Sequence, residues 1–201
     1  MKLKIALFIF LLLVFCSCSI LLSRYYGIKS LKSFDEQKYT SFLSSLDTST
    51  FYFSTIVSSL KQFEEIHTVS NDSVQTKYLY QPVQILYFKF GELVSFHVNC
   101  FALPEKRNLN WNAANQFAVF PPHSAVDDSY LTLKLTQYKE IYPEIISDKT
   151  YVILIFWTLA MENISENAIK TVKTNVINHN MQDSTSLFLI NTDYFYIEKL
   201  K

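Results

Sequence analysis

Four histidines, three cysteines and a tryptophan set between two asparagines are the residues of this chain with the most chemical reach. His67, His97, His123 and His179 lie too far apart for a local metal motif, and no HExxH or paired-cysteine spacing occurs. A metal site would need the fold to bring them together. His179 falls in the last turn of an expected helix, where a cation complements the dipole, so capping is expected there in preference to ligation. His123 with Asp127 and Asp128 is the one compact polar cluster in the long stretch from 102 to 129. It has the groups for acid/base or cation chemistry, and a solvated loop is the plainer expectation. Only two glycines occur, Gly27 and Gly91. That excludes a phosphate-cradling loop and a Gly-x-Ser-x-Gly nucleophile elbow, both of which need several close together. No catalytic residue, metal or cofactor is expected, and the chain reads as a non-enzyme.

The cysteines divide by position. Lys2 and Lys4 precede an apolar run from Ile5 to Phe15, and Cys16-Ser17-Cys18 follows, the order of regions in a secretory signal. The end of the run resembles the lipobox of bacterial lipoproteins, with Leu13, Val14 and Phe15 upstream and small Ser17 just before Cys18. The resemblance implies a signal peptide over 1–17, lipidation of Cys18 and a tether over 18–32. Cys16 fits less well, because bulky Phe15 would stand before the cleavage point. A second reading stays open: from Ile5 to Leu22 no residue is charged, and that length approaches the ~20 residues of a transmembrane helix. Cys100 is then the only free thiol, so no disulfide is expected. On a strand it would share a face with Val94, Phe96 and Val98, a setting for a buried, inert thiol.

Charge and composition narrow the class further. The 18 basic and 18 acidic residues cancel and are interspersed. A nucleic-acid binder instead shows a clustered basic footprint, so no nucleic-acid or nucleotide partner is expected. Apolar residues make up 49% of the chain and aromatics 16%, enough for one folded α/β domain over 33–201 with a sizeable core.

Ser33-Phe34-Asp35-Glu36 reads as a capping box opening a helix with Tyr39, Phe42, Leu43 and Leu46 on one face. Phe51-Tyr52-Phe53 suggests a short strand. A second helix is expected through Ile56, Val57, Leu60 and Phe63, and then a polar loop from Thr68 to Thr76. Gln84–Phe90 and Glu92–Phe101 form an antiparallel hairpin that turns at Gly91. Residues 102–129 are irregular, and carry Asn110, Trp111, Asn112 and Phe120 as a candidate partner-binding loop. An aromatic ring beside amides can hold a peptide or sugar; Trp111 serves equally to pin the loop to the core. A strand at Tyr130–Leu135 and a helix near Gln137–Tyr142 follow. Tyr151–Trp157 is an apolar run fit for a strand covered on both faces. Asn163 and Glu166 are placed to cap a helix with the stripe Ile164, Ala168, Ile169, Val172, Val176 and Ile177. Ser186–Ile190 is a second buried strand, which makes a βαβ unit over 151–190 with parallel strands, and Tyr194–Ile197 is a short final strand. The fold expected is α/β with a central mixed sheet.

The unit from Tyr151 to Asp193 resembles the first half of the thioredoxin fold, where a strand ending in Phe-Trp leads into the active-site turn and helix. By that resemblance the redox pair would fall near Met161 and Ile164, in Thr158-Leu159-Ala160-Met161-Glu162-Asn163-Ile164, where no cysteine stands. Dithiol chemistry is thereby lost, and Cys100 alone would remain for a thiol enzyme. The hairpin from Gln81-Pro82-Val83 to Phe96 is similar to that family's later hairpin but comes earlier in the chain, so using both needs a rearranged fold. Over most of its length the chain resembles uncharacterised lipoproteins of the Bacteroidetes type, through Tyr26-Gly27-Ile28-Lys29, Leu79-Tyr80-Gln81-Pro82-Val83-Gln84, Val94-Ser95-Phe96, Asn99-Cys100, Trp111-Asn112, Phe120-Pro121-Pro122 and Ile190-Asn191-Thr192-Asp193. In such proteins an acidic stretch after the lipidated cysteine favours surface display. Ser19-Ile20-Leu21-Leu22 has none, which implies an outer-membrane position facing the periplasm.

The expectation is a lipid-anchored interaction module of the cell envelope whose partner is an envelope protein. A more specific form is an immunity lipoprotein that neutralises a toxin acting in the periplasm. The anchor is directly testable. Cys18→Ser leaves an uncleaved, unacylated precursor, whereas Cys16→Ser is still processed, since serine is tolerable two positions before cleavage. Intact mass decides, because cleavage removes 17 residues and acylation adds lipid chains; an unmodified full-length mass from the wild type overturns lipidation.

Overall fold

The computed structural model describes residues 28–47, 51–70, 73–105, 108–127 and 132–199. The signal region 1–17, Cys18 and most of the expected tether lie outside the described residues.

A mixed five-stranded sheet organises the chain. Its strands are β1 (Ser54–Val57), β2 (Gln84–Lys89), β3 (Glu92–Val98), β6 (Tyr151–Trp157) and β7 (Thr185–Asn191), in the order β1-β7-β6-β2-β3. β1, β7 and β6 are parallel, while β2 runs antiparallel to β6 and β3 antiparallel to β2. A small antiparallel pair, β4 (Leu103–Glu105) and β5 (Asn108–Asn110), stands apart. Every residue of β6 is buried, as its unbroken apolar run requires, and helices cover both faces.

One face carries α1 (Glu36–Ser45) and α5 (Glu162–Asn178). Their Phe42, Ile164, Ala168, Ile169, Val172 and Val176 pack with Ile153, Ile155 and Trp157 of β6. The other face carries α2 (Leu60–Ile66), α3 (Ser73–Leu79), α4 (Leu135–Ile141) and α6 (Asp193–Lys199). There Phe63, Leu79, Tyr138 and Phe195 meet Val152, Leu154 and Phe156. The expected hairpin and the βαβ unit therefore share one sheet. Its two-residue turn has positive φ at both Phe90 (51°) and Gly91 (86°), the backbone that matches the twist of paired strands.

Several local expectations are corrected. The cap of α1 is Asp35, which accepts from Lys38 N at 3.0 Å; Ser33 stays outside. Phe34 precedes that cap and its ring lies 5.5 Å from Tyr39, a hydrophobic staple that fixes where the helix opens. Phe51 and Phe53 are buried core residues but not a strand, and Ile56 and Val57 lie in β1, because pairing with β7 begins only at Ser54. α2 starts after its own capping box, Ser59 with Gln62. α3 occupies part of the expected polar loop. In place of a strand from 130 to 135, the described part shows one bridge, Glu92 to Lys134, and then α4. α5 opens at Glu162 without an Asn163 cap, and Glu166 pairs with Lys170 instead.

The final strand is a helix, α6. From Phe188 to Asn191 both edges of β7 are already taken, by β1 and by β6, and the short connection after Asn191 cannot carry the chain to another edge. Tertiary context overrides the β propensity of Tyr194–Ile197. Residues 29–32 of the expected tether lie against the domain: Lys29 N donates to Ala160 O at 2.8 Å and Leu31 packs on the core.

His97 is buried in β3 and shares a hydrogen bond of 3.0 Å with the Ser95 hydroxyl. Burial pushes its pKa down to about 3, whereas an unfolded histidine titrates near 6.5. The unfolded chain thus takes up a proton that the folded one refuses. The stability tied to neutral His97 is complete above pH ~6.5 and falls by about 1.4 kcal/mol per pH unit below it, down toward pH 3. Urea unfolding at a series of pH values should show this slope in the wild type and its loss in His97→Gln. Equal slopes between pH 6.5 and 4.5 overturn the assignment.

Candidate functional site

Residues 108–120 form a layer over one face of the sheet, through Leu109, Trp111 and Phe117, and Val126 further on packs on the other face. Trp111 is 3% exposed and sits in the core with Leu109, Phe117 and α5, so its ring pins the loop. α5 holds the loop's main chain through a polar row spaced by eight and then four residues, Asn167, Asn175 and His179. Asn167 Nδ2 donates to Leu109 O. Asn175 Nδ2 donates to Phe117 O and Val119 O, both at 2.8 Å, while its Oδ1 accepts from Tyr87 at 3.3 Å. His179 caps α5 and its ring nitrogens lie 2.8 Å from Asn175 O and 3.1 Å from Ala118 O. A singly protonated ring donates to one of these carbonyls and a doubly protonated ring to both.

The asparagines beside Trp111 act inward as well. Asn110 Oδ1 accepts from Asn112 N and Asn112 Oδ1 from Phe117 N, each at 2.9 Å, turns that asparagine forms readily. Phe120 is half-buried, edge-on to Tyr151 at 5.0 Å. The loop's outward face is formed by Leu103, Asn112–Asn115 and Val119. Of the residues the sequence singled out here, Trp111 is buried and Phe120 half-buried, while Asn112 is exposed. The row on α5 was visible as a spacing, and a polar helix face is ordinarily solvated.

The remaining candidates stay dispersed. Among the described residues no group of His, Cys, Asp and Glu is placed to hold a metal ion. His67 and His97 are buried, while His123 and Asp127 are exposed; Asp128 lies outside the described residues. Cys100 corrects the expectation of a buried thiol. β3 ends at Val98, because Asn99 turns its backbone and side chain to Val83 and Phe101 N closes on Val98 O. The thiol is left in an exposed turn. A bulge at Tyr87/Phe88 also puts Val94 out of register and exposes it. Partial burial pushes the Cys100 thiol up, against a smaller lowering by its own backbone and by Lys77.

A further polar cluster was not singled out from sequence. It sits at the carboxyl ends of β6 and β7, where open α/β sheets usually bind ligands. Asp193 is 1% exposed. Its Oδ1 accepts from Thr158 Oγ1 at 2.6 Å and from Leu159 N at 2.8 Å. Ser165 Oγ accepts from Thr158 N and donates to Thr158 O. Burial raises the carboxyl of Asp193, and the bonds from Thr158, Asn191 and Leu159 oppose the rise. A cavity of about 270 Å³ beside it is walled by residues 29–38 of the chain itself. Lys29 pairs with Glu162 there, and Phe34 stacks on Tyr194 at 5.0 Å. The cluster ties the turn after β6 to the start of α6.

Set against known proteins, the chain matches no family model, no curated protein and no solved structure.

With a raised pKa, Cys100 holds little thiolate at neutral pH. In the folded protein a colorimetric disulfide reagent should titrate it fully but more slowly than free cysteine at pH 7, with the rate climbing as pH passes 9. Reaction faster than free cysteine at pH 7 would give the thiol an activated setting and overturn this account.

Proposed function

We propose that this chain is a lipoprotein of the bacterial envelope, acylated at Cys18 and facing the periplasm, whose domain binds another envelope protein without catalysing a reaction. The lipobox-like sequence ending at Cys18 supports the anchor. The observation that carries the binding role is the loop from Leu103 to Val119, which is held rigid from within by Trp111, Phe117, Asn167 and Asn175. A surface fixed in this way loses little conformational entropy when a partner docks. Its exposed Leu103 and Val119, set among asparagine amides, offer apolar contact with polar surroundings.

A distant, rearranged relation to thioredoxins is part of the same proposal. Its support is the parallel β6–α5–β7 unit with the hairpin β2–β3 alongside β6. The positions where that family carries its dithiol hold Met161 and Ile164, so such a relation leads to a binding domain.

The test must avoid Trp111, whose truncation costs about 3–5 kcal/mol by emptying a core site. Leu103→Asp with Val119→Asp changes only the outward face and should leave the thermal unfolding temperature within a few degrees of the wild type. Crosslinking and pull-down from envelopes should then lose the partners captured by the wild type. A folded double variant that captures the same set would sink the loop as the binding surface.

A further inference from the structure

β7 is paired with β6 along its whole length, Thr185 to Asn191, yet β1 meets it only from Phe188 onward. Beside Thr185, Ser186 and Leu187 the sheet therefore has a gap, roughly 10 Å long at ~3.3 Å per residue. Phe51–Phe53, which lead into β1, have their two phenylalanines buried in the same core cluster as Leu187 but form no backbone bond to these three residues. A cavity of about 530 Å³ occupies the place, within the size range of ligand sites.

The cavity's lining is unlike ordinary surface. Tyr52 is 77% exposed and Ile146 83% exposed, and both face this one cavity with Leu187. Thr185 is buried, and its hydroxyl has no hydrogen-bond partner among the described residues. The Lys149 ammonium reaches only the main-chain oxygen of Asp183, at 2.8 Å. Neither side chain enters an ion pair among the described residues. Among the described residues the site thus offers an unpaired strand edge, two exposed apolar side chains, and a lysine and an aspartate that enter no ion pair. None of its lining residues belongs to the loop from Leu103 to Val119.

We propose that this gap is a second docking site, which takes an extended peptide segment of a partner protein. The segment adds a short strand beside Thr185–Leu187 in line with β1, brings an apolar side chain against Tyr52 and Ile146, and carries charges complementary to Lys149 and Asp183. Main-chain groups spaced at the strand repeat supply affinity, and the alternating side chains supply selectivity. A free edge left without charge or cover invites unwanted pairing; a recessed gap with Lys149 and Asp183 at its wall admits a matched segment and opposes a flat one.

The test uses the full chain in detergent micelles and heptapeptides selected on it from a random displayed library, then made synthetically. Bound peptide should slow amide hydrogen exchange over residues 185–187. Methylating alternate peptide amides should abolish binding, Tyr52→Ala should weaken it roughly tenfold, and exchanging the charges with Lys149→Glu plus Asp183→Lys should change which peptides are selected. The proposal is overturned if no peptide binds below roughly 1 mM, if the binders leave 185–187 unprotected, or if their N-methylated forms bind equally. Protection of 185–187 by chito-oligosaccharides in place of peptides would make this a glycan site. Protection that grows with protein concentration alone would make it a contact between two copies.

Discussion

The structure depends on β6 having no solvent face. All seven of its residues, Tyr151 to Trp157, are buried, and both edges are paired. Leaving that run exposed would forfeit about 1.5–3 kcal/mol for each large side chain, so two layers of cover are obligatory. On one side four short helices share the task. On the other, α5 and α1 are joined by Leu109, Trp111 and Phe117, which share a core cluster with Val83 and with Ile85 and Tyr87 of β2. The long loop is thus the missing part of a layer, which is why a stretch with so little regular structure is ordered.

The same logic decides what could be read in advance. β6, β7, the hairpin and α5 are written in patterns that survive any context: an unbroken apolar run, a glycine at a tight turn, a stripe at helical spacing. β1 and α6 are not. Ile56-Val57 and Tyr194–Ile197 fit either element by composition, and what settled them was which edge of β7 stood open. Caps were misplaced where two eligible residues lay close together, as with Ser33 and Asp35, and the staple between Phe34 and Tyr39 chose between them. At the candidate site the segment was legible, but the direction in which Trp111 points was not. An aromatic between two amides looks the same from sequence whether it faces partner or core. The α5 row of Asn167, Asn175 and His179 and the gap beside Thr185 exist only once distant segments meet.

Two buried polar groups illustrate how the core tolerates charge chemistry. His97 is kept neutral by burial and is satisfied by Ser95, one strand position pair away on the same face. Asp193 is kept in place by hydrogen bonds at the turn after β6, while burial raises its pKa above that of an unfolded carboxylate. The contribution of that raised pKa is present at low pH and is lost as pH rises through the folded value, opposite in sign to that of the histidine. An apolar substitution at either place would leave donors or acceptors without partners, which costs more than the original bond contributes.

The direction of the sheet connects the proposed anchor to the proposed surfaces. Lys29 is fixed to Ala160 just past the carboxyl end of β6. Under the proposed acylation of Cys18, the eleven residues from Cys18 to Lys29 put an upper limit of about 40 Å on the distance between this end of the sheet and the bilayer. The gap beside Thr185–Leu187 lies at the amino end of the parallel strands, roughly 13–20 Å from Asn191 along β7 by strand rise. The hairpin turn at Phe90-Gly91 lies at that same end, since Lys89 pairs with Tyr151. The sheet end that carries Asp193 is thus covered by residues 29–38 of the chain itself, while the gap beside Thr185–Leu187 lies at the opposite end of the parallel strands.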